Sequence, residues 1–308
     1  MTLRLLDQID LPPHQASGGF DHADVHAPTD RLYVAHTAND AIDVIDCAND
    51  RYVESLPGHP AVAGALVSEA RGLVFATNRG ENTVSVFAAG DERNGFKIGV
   101  GVRPNGVAFD GRRGTLVVAN VGDPAIADSY TVAIIDVERR RRTAEIQVPG
   151  RTRWAVYDPA NDAFFINIAA PPRIVVIDGG APIAIARQYE VPAGGPHGLD
   201  LDPATGWLWC ACDAGILIAM EAATGRVLGD VTLSGAPDVV FLHHQLGHLY
   251  VAVGDPGVIN VVNVRSLSTK EVVATEAGAH TFALDRKRRK LYAFLPGSHR
   301  AAVYSDAD

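Results

Sequence analysis

The feature that most constrains this chain is an internal repeat. Short apolar, β-branched runs recur in a fixed order. Each unit opens with a small-residue turn and a short strand, then a polar turn often begun by Asp. A strand such as LYVA follows, then a loop, a strand such as VID, a charged turn and a last strand. The clearest copies are GVRPNGVAFDGRRGTLVVAN at 101–120, GGPHGLDLDPATGWLWCAC at 194–212 and APDVVFLHHQLGHLYVAV at 236–253. Aligning the units at the head of the first strand puts Asp21, Val62, Asn105, Arg153, His197, Asp238 and His280 in one column, at intervals of 41 to 48 residues. The longest interval contains an insertion at Val121–Ser129, read as a loop. Seven units of four strands at this period give an all-β chain, a seven-bladed β-propeller. No window sustains a helical period.

The ends predict how the ring closes. The last unit stops after its third strand, Ala301–Ser305, while Leu3–Leu11 is a strand with no unit of its own. If the N-terminal strand becomes the outer edge of the last blade, no half-finished blade exposes its edge. Residues 1–308 then form a single propeller domain. Apolar content of 47% supports a large core. A net charge of −9 argues against nucleic-acid partners, which need a basic footprint. The opening MTLRLLDQIDLPP lacks the apolar run of a signal peptide, and no membrane-length apolar stretch occurs, so the expectation is a cytoplasmic protein without membrane contacts. Three cysteines, Cys47, Cys210 and Cys212, make no disulfide framework. Phosphate-loop, dinucleotide and nucleophile-elbow signatures are missing, so no nucleotide cofactor is expected. Oligomeric state is not legible.

Tyr33-Val34-Ala35, Val117-Val118-Ala119-Asn120, the VID runs and the Pro-x-Gly starts at Pro104–Gly106 and Pro196–Gly198 resemble the YVTN-repeat, lactonase-like seven-bladed propellers over nearly the whole chain. The resemblance implies the fold and is compatible with several activities, among them lactonases, lyases and binding platforms. Several blades depart from the pattern: Val62–Leu66 lacks Pro-x-Gly, and Arg153-Trp154 replaces it in blade 4.

Strand direction selects a face. With strands a to d running outward from the axis, the start of a, the end of b and the b–c loop share one face, and the a–b and c–d turns share the other. Six members of the column are polar, so side chains from different blades converge on the mouth of the central channel. Polar groups there can also simply line a wet opening. His197 and His280 occupy a slot where Asn or Asp would satisfy the turn, and Phe20-Asp21-His22-Ala23-Asp24-Val25-His26 concentrates Asp and His at the head of blade 1. His197, His280, Asp21 and Asp24 form a candidate ligand set for a divalent ion of the Mn, Fe, Ni or Zn type. Arg153, with Arg103 or Arg151, suits a substrate carboxylate, and Asp238 and His22 are candidate proton carriers. The b-strand ends add His36, Thr77, Asn120 and Cys212, flanked by Asn167, Asp213 and Asp255.

Two readings follow. In the first the protein is a metal-assisted hydrolase or lyase acting on a small carbonyl or anionic molecule, lactone opening being the most specific form. In the second it is a non-catalytic platform for a ligand or protein. Cys210 and Cys212 point to one side of a strand, as a soft-metal pair or as small buried hydrophobes. The basic turns at Arg112-Arg113, Arg139–Arg142 and Arg286–Lys290, with the string His243–His248, fall on the far face as solvated turns or a docking surface for an acidic partner.

Overall fold

The computed structural model describes residues 2–181 and 184–307. Among these, seven four-stranded antiparallel sheets form a ring. Strands a to d of blade 1 are Ala23–His26, Arg31–His36, Ala41–Asp46 and Arg51–Pro57. Blades 2 to 6 follow in chain order. Blade 7 has Phe282–Asp285, Lys290–Leu295 and Arg300–Asp306, and its outer strand is the N-terminal Leu3–Asp10. That strand pairs antiparallel with the third one, Leu3 opposite Asp306 and Ile9 opposite Ala301. The closure expected from the unfinished last unit is therefore present. The Val121–Ser129 insertion is a loop between strands b and c of blade 3.

The strands form because β-branched residues alternate between two packed faces. The core consequently lies between blades: Tyr33 and Val44 of blade 1 pack with Val74 and Ala76 of blade 2. At the closing seam Val25 and Leu32 pack with Ala283 and Tyr292 of blade 7. The Asp-led turns act as read. Asp110, Asp158 and Asp202 each accept a backbone N–H two residues on, from Arg112, Ala160 and Ala204.

The structure corrects the register of blade 2. Val62 pairs with Asn78 as Pro104 pairs with Asn120, so Ala63 stands beside Asn105 in the column, and Asn78 rather than Thr77 ends strand b. The His22 N–H donating to Ala63 O at 3.0 Å confirms the shift. Without a Pro-x-Gly to mark the turn, a one-residue slip goes unnoticed in the sequence.

A bulge lies at the column in blades 2 to 6, for example between Pro104 and Val107 and between Pro196 and Leu199. It frees two residues from the ladder and re-aims their side chains. The glycine of Pro-x-Gly is then explained by close approach. A Cβ on Gly106 would lie 2.3 Å from Arg153 O, and one on Gly198 would lie 2.2 Å from Asp238 O. Each glycine abuts the column carbonyl of the next blade.

The basic turns of the far face are largely spent inside the protein. Arg113 bonds Asp110 and, across to blade 4, Asp162, both at 2.7 Å. Arg288 bonds Asp285 at 3.0 Å and Asp30 of blade 1 at 2.7 Å. Arg139 holds Asp136 at 2.6 Å, and Arg142 holds Glu145. Within the histidine string, His243 and His248 are buried, and His248 pairs with Asp306 at 2.7 Å. The exposed His244 lies 3.0 Å from Asp202. The pairs of Arg113, Arg288, His244 and His248 join neighbouring blades, whereas those of Arg139 and Arg142 stay within one blade.

Candidate functional site at the channel mouth

His197, second residue of strand a in blade 5, is the centre of the mouth. Its Nδ1 lies 2.7 Å from Asp213 Oδ1 and its Nε2 lies 3.1 Å from Asp238 Oδ1. Burial alone would lower its pKa, but Asp238 and Asp213 overcome that and raise it to about 9. His197 is thus an imidazolium at neutral pH, with both N–H groups donating to carboxylates. Arg153 Nη1 lies 3.2 Å from the same Nε2. Since Nε2 carries a proton, this is a close approach of two cations that Asp213 and Asp238 hold together. Arg153 also reaches Asp213 Oδ2 at 3.5 Å. Although burial opposes its ionisation, His197 keeps the Asp238 carboxyl far below the usual carboxylate range, aided by His280. His280 Nε2 is 3.9 Å from Asp238 Oδ2, and its Nδ1 donates to Gly278 O at 2.8 Å.

Blades 1 and 2 supply the opposite side. Asp21 lies 3.4 Å from His22 Nε2 and 3.2 Å from Arg79 Nη1. The His22 ring stacks on Trp154 with centroids 3.9 Å apart. Burial depresses the His22 pKa more than Asp21 and Asp238 raise it, so this ring is neutral. Both His22 and Trp154 occupy the position that is glycine in Pro-x-Gly blades. The departure noted in blade 4 thus supplies a ring that closes the channel floor beneath the mouth.

Arg79 escaped the sequence reading. It is the first residue after strand b in blade 2, the register that Asp213 holds in blade 5. The one-residue slip in blade 2 hid this equivalence. Arg103 and Arg151 share a register two residues before the column and are exposed. Neither guanidinium has a hydrogen-bond or ion-pair partner among the described residues. Burial lowers the Arg151 pKa, and repulsion from Arg153, Arg103 and Arg79 lowers it further. The Nε atoms of Arg79 and Arg153 are buried without an acceptor among the described residues. Four arginines and an imidazolium therefore face Asp21, Asp213 and Asp238, with the exposed Asp255 further out. A chain of net charge −9 concentrates positive charge at one opening.

The expected ligand set is divided. His197, His280 and Asp238 are together, and Asp21 lies across the mouth with Arg79. Asp24 is in a separate chamber below the His22–Trp154 stack, where its carboxylate accepts the N–H groups of Val25 and Val67, both at 2.8 Å. Burial pushes its pKa up to about 6. With both His197 nitrogens engaged by carboxylates, the donors as arranged do not fit a divalent ion. Among the described residues, no group of three or more His, Cys, Asp or Glu could hold one. His36 is fully buried and bonds Asp43 at 2.7 Å. Thr77 Oγ1 donates to Asn105 O at 3.0 Å, and Asn167 Nδ2 donates to His197 O at 3.0 Å. These two staple neighbouring blades, and Asn167 positions His197. Cys210 and Cys212 are buried with sulfurs 3.9 Å apart, which agrees with a packing role.

No protein-family model matches the sequence, and no curated protein matches it. A solved chain of Kuenenia stuttgartiensis hydrazine synthase is similar in shape, with a TM-score of 0.81 at 15% identity over 97% of both chains. Altogether 1766 solved chains match, a breadth that establishes the architecture and leaves chemistry to the site. Among the described residues no helix is long and apolar enough to cross a membrane.

Proposed function

We propose that the channel mouth binds a small anionic molecule and acts on it by proton transfer, as a hydrolase or lyase does. The observation that carries this reading is the set of arginines left unsatisfied around His197. Arg103 and Arg151 lack partners among the described residues, and the inward Nε–H groups of Arg79 and Arg153 lack acceptors. Guanidinium presents a planar fork matched to carboxylate or phosphate. The mutual repulsion of Arg151 with Arg153, Arg103 and Arg79 is relieved when an anion arrives.

His197 is the candidate proton donor. It is charged at neutral pH and has Asp238 and Asp213 to orient it. Neutral His22 is the candidate acceptor, on the floor of the mouth. A carboxylate-bearing lactone or a hydroxy acid prone to elimination has the charge and the carbonyl that this arrangement would engage. Lactonases and lyases are among the propellers that the YVTN-type strand pattern resembles.

Binding and turnover can be tested separately. Calorimetric titration with citrate and with inorganic phosphate should show saturable binding of at least one, weakened tenfold or more by Arg153→Ala or Arg79→Ala. Proton release from a panel of carboxylated lactones should be lost in His197→Gln. No binding of either anion overturns the reading. Binding with no turnover on any lactone or hydroxy acid removes its catalytic half and leaves a ligand-binding platform.

A further inference from the structure

The stacked rings of His22 and Trp154 line one end of a second space near the axis. This space is a cavity of about 420 Å³, lined by the inner strands and opening toward the a–b turns of the far face. Of the mouth residues, His22 lines it, whereas Arg153, His197, Asp238 and His280 do not. Its walls are aromatic: Trp154, Phe241, Phe109 and Tyr157. Trp154 meets Phe241 edge-on with centroids 6.1 Å apart. Two carboxylates stand among these rings. Asp24 in blade 1 and Asp200 in blade 5 occupy the same register, three residues after the column. Each spans to the next blade, Asp24 through Val67 N–H at 2.8 Å and Asp200 through Leu242 N–H at 2.7 Å.

The backbone bonds satisfy the oxygens and leave the negative charges incompletely countered. Among the described residues the one cation lining this cavity is Arg286, which is half exposed and 3.7 Å from Asp200 Oδ2. Its guanidinium carbon lies 5.8 Å from the centroid of the Phe241 ring. The protein thus places its own cation at the rim, beside Asp200 and the Phe241 face and within electrostatic reach of Asp24. No cation forms an ion pair with Asp24 among the described residues; Arg286 acts on it only at longer range, and Trp154 lines the same cavity. Aromatic faces attract organic cations through the ring quadrupole, most strongly where water is displaced. Desolvated carboxylates gain most from an incoming opposite charge.

We propose that this lower chamber is a second ligand site, for a small organic ammonium ion that pairs with Asp24 and Asp200 and packs against Trp154 and Phe241. It is chemically opposite to the mouth, which gathers positive charge, and it does not depend on what the mouth binds.

Benzyltrimethylammonium is a suitable probe because its charge does not change with pH, and benzyl alcohol is the neutral control. Calorimetry should show saturable binding of the cation with benzyl alcohol at least tenfold weaker. Asp24→Asn, which retains an oxygen for Val67 N–H, should weaken binding tenfold or more, and Phe241→Leu several-fold. Arg153→Ala at the mouth should leave the affinity unchanged, so failure here is distinct from failure of the anion reading. Asp200→Asn provides the same test should Asp24→Asn not fold. Absence of binding at millimolar probe overturns the proposal. So does equal affinity for benzyl alcohol, or a cation affinity that the carboxylate variants do not change.

Discussion

At the scale of residues, the mouth depends on His197 being charged. Its folded pKa of about 9 exceeds the unfolded value of about 6.5. The stability it contributes is therefore fully present below about pH 6.5 and is lost as pH rises through about 9. Asp213 and Asp238 are shifted down, mainly by His197 against the cost of burial. Their contribution is present above their unfolded values and is lost as pH falls. Urea unfolding of wild type and His197→Gln across this range should show a margin that shrinks between about pH 6.5 and 9.5. The shrinkage should be on the order of 3 kcal/mol or less for a shift of this size. A margin that stays flat or grows with pH would show that the imidazole is not held as a cation. The sequence placed His197 and Asp238 in one column but could not show which atoms meet. Asp213 is sixteen positions from His197 along the chain and touches it only because strand b ends beside the start of strand a.

Elements explain what the sequence did and did not disclose. The strands, their order and the outer place of the N-terminal strand were legible because alternation and turn residues repeat seven times. Blade 2 reads one residue out of register because its head lacks Pro-x-Gly, and that slip hides Arg79. Asp24 looked like a neighbour of Asp21, yet three residues along an inner strand carry it below the His22–Trp154 stack. The glycine of Pro-x-Gly yields a prediction that belongs to this scale. Gly106→Ala puts a methyl against Arg153 O, where the two backbones already touch. It should cost about 1–3 kcal/mol, read as a lower urea midpoint with the slope unchanged. It should also weaken anion binding, because it displaces Arg153. An alanine variant as stable as wild type would mean the blades approach less closely than described.

Across the whole molecule, a ring built from one repeat places chemistry on its axis. Bulges at the heads of the inner strands aim side chains from different blades at one opening. Arg–Asp pairs on the far face tie neighbouring blades, and strand Leu3–Asp10 closes the circle. Against an acidic background, the opening collects Arg79, Arg103, Arg151, Arg153 and the His197 imidazolium. The central claim is that this opening is an anion site. A crystal soaked in selenate tests it most directly, since the anomalous signal of selenium locates the anion without bias. The account predicts a strong peak within hydrogen-bond reach of Arg79 and Arg153, absent in Arg153→Ala crystals. Peaks confined to the outer arginines, with none at the mouth, would contradict it.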